Sequence, residues 1–118
     1  MISSNINPNY MEKISPFHLA IPVNDLTVCR EFYGGILNCE EGRSASQWVD
    51  FNFFGHQLVI HQRPEAEKTP KKVYNPVDGH NVPIPHFGVV LEWDVWHELN
   101  TLVIKKNKQF IIVPYIRL

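Results

Sequence analysis

The chain has 118 residues, 44% hydrophobic and 12% aromatic, which suits one compact domain or two small halves of one. Its 11 Lys and Arg against 12 Asp and Glu leave a net charge of −1, which excludes the basic footprint of a nucleic-acid binder or a polybasic membrane anchor. Cys29 and Cys39 are too few for a secreted disulfide framework, and no apolar run approaches the roughly 20 residues that span a bilayer, so a soluble protein of the reducing cytoplasm is expected.

Residues 1–14 are polar and carry Pro8, which predicts a loose arm with order beginning near Ser15. From Phe17 to Val23 apolar and small residues alternate, the period of a strand. Phe17, Leu19, Ile21 and Val23 share one face, and His18, Ala20 and Pro22 share the other. Asn24 or Asp25 is placed to cap a helix in which Leu26, Cys29, Tyr33 and Ile36 recur at helical spacing, with Gly34 and Gly35 loosening its end near Leu37.

Short strands with a tight turn at Phe54-Gly55-His56 follow, with Val49, Phe51 and Phe53 on one face of the middle strand. In the last strand Gln57, Val59 and His61 lie opposite Leu58 and Ile60. Residues 15–63 thus read strand, helix, strand, strand, strand. The stretch 64–84 holds Pro64, Pro70, Pro76 and Pro83 and shows no periodicity, which predicts a connecting loop.

The pattern then restarts in 85–118. His86 to Leu91 reads as a strand, Asp94 as the cap of a helix striped by Val95, Leu99, Leu102 and Val103, and "QFIIVPYIRL" as a final strand interrupted by Pro114. Shifted by 68 positions, His86 falls on His18, Gly88 on Ala20 and Leu91 on Val23. Two histidines at one strand position, each followed two residues on by a small residue, point to an internal duplication. Two such modules pairing their sheets would enclose a pocket in which His18 and His86 converge. Either His read singly is also an ordinary hydrogen-bonded strand residue. His56 in a turn, His97 on a helix surface and His80 in the loop read as solvated. Trp93 and Trp96 read as packing, and Glu92 as a helix start.

The stretches "HLAIPVNDL…FYGGIL" and "IPHFGVVLEWD" resemble the vicinal oxygen chelate superfamily of glyoxalases, extradiol dioxygenases and fosfomycin or bleomycin resistance proteins. The wording is most similar to extradiol-type dioxygenases. The resemblance implies an α+β fold of two βαβββ modules, with metal-binding His18 and His86 on the first strand of each. It implies a further site residue at His61, acting as acid/base catalyst or as a third metal ligand. Fe(II) is the metal it favours, with Zn, Ni or Mn as alternatives, and oxygenative cleavage of a catechol-like small molecule is the reaction. Tyr115 and Arg117 would face the pocket together and bind an anionic substrate, or else form an edge-strand surface. A glyoxalase-like lyase or isomerase and a metal-free resistance-type binder are the alternative functions. Under the same shift the partner of His61 falls past Leu118, so the resemblance implies a second module lacking two strands and a ligand-bearing Glu. The strand edges this exposes predict a homodimer.

Overall fold

A computed structural model describes residues 14–67, 73–106, 108–110 and 114. The first module forms as its pattern requires. Strands β1 (His18–Val23), β2 (Glu41–Ala45), β3 (Trp48–Phe53) and β4 (His56–Gln62) make a four-stranded sheet in the order β1-β4-β3-β2. Only the β1–β4 pair is parallel, because the helix between β2 and β1 carries the chain across before β2 begins.

That helix, α1 (Leu26–Arg30), is capped by Asp25, whose Oδ1 accepts from Val28 N at 3.1 Å. It continues as a π-helical turn over Glu31–Ile36, closed by Leu37 N donating to Phe32 O at 2.9 Å. The wider turn contains Gly34 and Gly35, and a Cβ on Gly34 would lie 3.4 Å from the Phe51 ring, so the small residue lets helix and sheet approach.

α1 lies on one face of the sheet, where Leu26, Val49, Phe51, Leu58 and Ile60 are buried and Leu19, Ile21, Cys29 and Tyr33 pack around them. Each fully buried side chain of this size stabilises the fold by about 1.5–3 kcal/mol. β1 alternates as expected, whereas in the middle of β3 and β4 the opposite face also buries Asp50 and Val59, although no described helix covers it.

β3 and β4 join through Phe54 and Gly55, both at positive φ (51° and 88°), and Asn52 Oδ1 accepts from Gly55 N at 2.8 Å. Gln62 pins the β1–α1 corner by accepting from Leu26 N (2.8 Å) and donating to Asn24 O (2.6 Å).

The rest of the chain departs from the sequence pattern in three places. The stretch expected to be a loop holds an antiparallel hairpin, β5 (Val73–Val77) and β6 (His80–Ile84), turning at Asp78-Gly79 with φ of 50° and 78°. Pro76 and Pro83 hid it, yet each strand of a two-stranded hairpin keeps one edge free, where a missing N–H costs nothing. His86 to Leu91 is not a strand. No described strand lies beside it to complete a ladder, and Val90 is fully exposed.

The second helix, α2 (Trp93–Lys105), has Glu92 at its N-cap with no side-chain bond, and Asp94 falls inside the first turn instead of capping it. Val95 and Trp93 are 43% and 63% exposed, and the Trp93 ring packs edge-to-face on His97 with centroids 4.4 Å apart. The fold is therefore α+β: a complete βαβββ module followed by a hairpin and by α2, the regular element described in the expected second module. The N-terminal arm to residue 13 and nearly all of the expected last strand lie outside the described residues. No described helix is long and apolar enough to cross a membrane.

Candidate functional site on the open sheet face

The sheet face away from α1 carries three cross-strand rows set by register. His18 pairs with Gln57 and Gln57 with Asn52, Ala20 with Val59 and Val59 with Asp50, and Pro22 with His61 and His61 with Trp48. Partners in register point the same way, so every polar side chain in these rows meets the same space.

One end of this face is a chain of hydrogen bonds. His18 Nδ1 lies 2.9 Å from Gln57 Oε1, Gln57 Nε2 donates to Asp50 Oδ2 at 3.4 Å, and Arg43 Nε stands 3.9 Å from the same oxygen. Asp50 is only 8% exposed, a burial made tolerable by the Gln57 bond and the nearby Arg43 guanidinium. β2 bulges between Glu41 and Ser44, and Gly42 there lets the strand close on Asp50, whose Cβ is 3.4 Å from where a Gly42 Cβ would sit. A shallow cavity of about 350 Å³ opens beside Asp50, Gln57, Gly42 and Asn52.

The other end is aromatic. The Trp48 and His61 rings lie 6.4 Å apart, tilted by 37°, with the Arg43 guanidinium 6.0 Å from the indole. His18 and His61 therefore share a face but not a point: four residues of register separate them, about 13 Å along the strands.

His86 does not join them. Its Nδ1–H donates to Pro83 O at 2.8 Å, and the residue lines a cleft on the helix side with Phe32, Tyr33, Leu99 and Val103. Among the described residues no three His, Cys, Asp or Glu side chains gather where they could hold a metal ion. Tyr115 and Arg117 lie outside the described residues.

His56 is not a solvated turn residue: it is half-buried at the start of β4 and its Nδ1 accepts from Phe17 N at 2.8 Å, tying down the entry to β1. The cysteines are poor nucleophile candidates. Burial pushes both thiols up, and Asp25 adds to the effect at Cys29.

Gln57 and Asp50 are the site residues that pattern reading passed over. The signal was present, since Asp50 interrupts the apolar run "WVDFNF" on the same face as His61, but a lone carboxylate on a strand has many uses.

No protein-family model matches the sequence, and no curated protein matches it. Among solved structures, a glyoxalase/bleomycin resistance protein/dioxygenase from Alicyclobacillus acidocaldarius superposes with a TM-score of 0.60 at 28% identity, over 79% of this chain and 64% of that one. The chain has the glyoxalase/dioxygenase fold.

A glyoxalase/dioxygenase from Nostoc punctiforme shares this fold, with a TM-score of 0.60 at 20% identity over 99% of this chain and 85% of its own. The chain spans a little under two-thirds of the length of the Alicyclobacillus protein. On this fold the open sheet face carries the His18–Gln57–Asp50 hydrogen-bond chain.

Proposed function

We propose that this chain is a member of the vicinal oxygen chelate superfamily that takes up a small organic molecule on the open face of its first-module sheet, with His18 as the central polar group. The observation that carries the reading is a hydrogen-bonded His18–Gln57–Asp50 chain, with Trp48 and His61 beyond it, on a sheet face no described helix covers. The likeness to a glyoxalase/bleomycin resistance protein/dioxygenase supports it. A homodimer is part of the proposal, since β1 and β2 are both edges of the sheet among the described residues.

A catalytic version adds Fe(II), or Zn, Ni or Mn, and oxygenative cleavage of a catechol-like substrate. Such chemistry calls for three protein ligands on one side of the ion. His18, His61 and His86 do not fit that demand among the described residues, and this favours the binding function over the catalytic one.

Titration of a Trp93→Phe/Trp96→Phe variant, in which Trp48 is the sole indole, with a panel of catechols and other small aromatic compounds tests the reading. Saturable quenching lost in His18→Ala supports it, and no quenching by any compound overturns it. Stoichiometric iron in tag-free protein together with oxygen uptake on catechol would instead establish the catalytic version.

A further inference from the structure

We infer that Gln57 and Asp50 are positioning residues that hold the neutral His18 imidazole in its Nδ1–H tautomer, so that Nε2 is presented on the open face as an unprotonated acceptor. The inference rests on the reading of His18 as the working group of that face.

The direction of each bond follows from what each atom is able to do. An ionised carboxylate only accepts, so the Gln57 atom 3.4 Å from Asp50 Oδ2 is the amide nitrogen. The flipped amide would set two acceptors against each other beside a nearly buried charge, and Asp50 thereby fixes which way Gln57 points. With Nε2 committed to Asp50, the atom left for His18 is Oε1, another acceptor, 2.9 Å from Nδ1. Nδ1 must then carry the proton. In a neutral imidazole that leaves Nε2 bare.

A free histidine side chain in water favours the opposite tautomer, so the arrangement costs the protein something and yields a defined result. An imidazole oriented through its other nitrogen by a polar chain is a stronger base and a better-aimed acceptor than a freely rotating one. The Arg43 guanidinium stands 3.9 Å from the same Asp50 oxygen. Four strands thus cooperate on one proton: β1 supplies the imidazole, β4 the amide, β3 the carboxylate and β2 the cation.

Long-range proton–nitrogen correlation spectra of ¹⁵N-histidine-labelled, ligand-free protein at about pH 8.5, above the ordinary His range, read the tautomer directly. His18, assigned by its loss in His18→Gln, is expected to show a protonated, pyrrole-type Nδ1 and a bare, pyridine-type Nε2. In Asp50→Asn the residue at 50 is able to donate, Gln57 is free to turn over, and the pattern is expected to shift toward Nε2–H. Gln57→Leu, at an exposed position, is expected to do the same and serves if Asp50→Asn does not fold.

An Nε2–H pattern in the unmodified protein overturns the inference. So does an Nδ1–H pattern that survives in a folded variant of either kind. Because these spectra need no ligand, their outcome is separate from that of the Trp48 titration. A correct tautomer without quenching would sink the binding function alone, and quenching with the wrong tautomer would sink this inference alone.

Discussion

Tyr33 sits between α1 and the sheet, its ring 5.8 Å from that of Phe51 and 6.1 Å from that of Phe53. Burial, with smaller contributions from Cys29 and Cys39, pushes its phenol up to about 12 from an ordinary value of 10. A raised acid binds its proton more tightly in the folded chain. The stability tied to that proton is therefore complete below about pH 10 and is lost as pH rises toward 12. Denaturation midpoints measured across this window should fall with pH, and Tyr33→Phe should flatten the fall. A phenolate absorbance titration should show a late-titrating tyrosine in the parent that this variant lacks. The same residue shows how far pattern reading reached: Tyr33 was legible as a core residue from its helical spacing, whereas its ring contacts with Phe51 and Phe53 were not.

At the scale of elements, α1 owes its position to two side chains of unequal importance. Asp25 caps the helix through a single exposed bond to Val28 N, whereas Gln62 makes two bonds that join β4 to the β1–α1 corner. Asp25→Ala should cost about 1 kcal/mol, the usual cost of a lost cap. Gln62→Ala strands a backbone donor and a backbone acceptor together and should cost more, about 1–3 kcal/mol. Urea denaturation of the two variants checks the ranking, and equal losses would refute it. The cap could be read from "NDL" because capping is local. The role of Gln62 could not, because its partners lie 36 and 38 residues away in sequence.

For the whole molecule, the buried core lies within the first module, and α2 contributes no buried residue to it. Among the described residues the β5–β6 hairpin pairs only with itself and belongs to neither the four-stranded sheet nor the core. Two-stranded hairpins without a supporting layer are marginal in water. Amide exchange should therefore be slowest at Val49, Phe51, Leu58 and Ile60 and many-fold faster throughout Val73–Ile84. Gly79→Val, at φ 78°, should abolish what protection the hairpin has while leaving the denaturation midpoint of the sheet unchanged. A hairpin that exchanges with the sheet as one unit would contradict this division.

What the sequence determined alone was whatever depends on neighbours a few residues apart. The alternation of β1, β3 and β4, the Asp25 cap, the tight turn at Phe54-Gly55 and the one-sided core all follow from local periodicity and hydrogen-bonding capacity. The same logic fixed which residues share a face, and so placed His18 and His61 together on the open one. Tertiary structure decided the rest. A strand is defined by its partner, so "HFGVVL" matched the first-module pattern but had no described strand to pair with, while "VYNPV" and "HNVPI" found each other despite their prolines. Register, which no periodicity encodes, set Gln57 and Asp50 beside His18 and left His61 four residues along the strands, while His86 fell outside any strand.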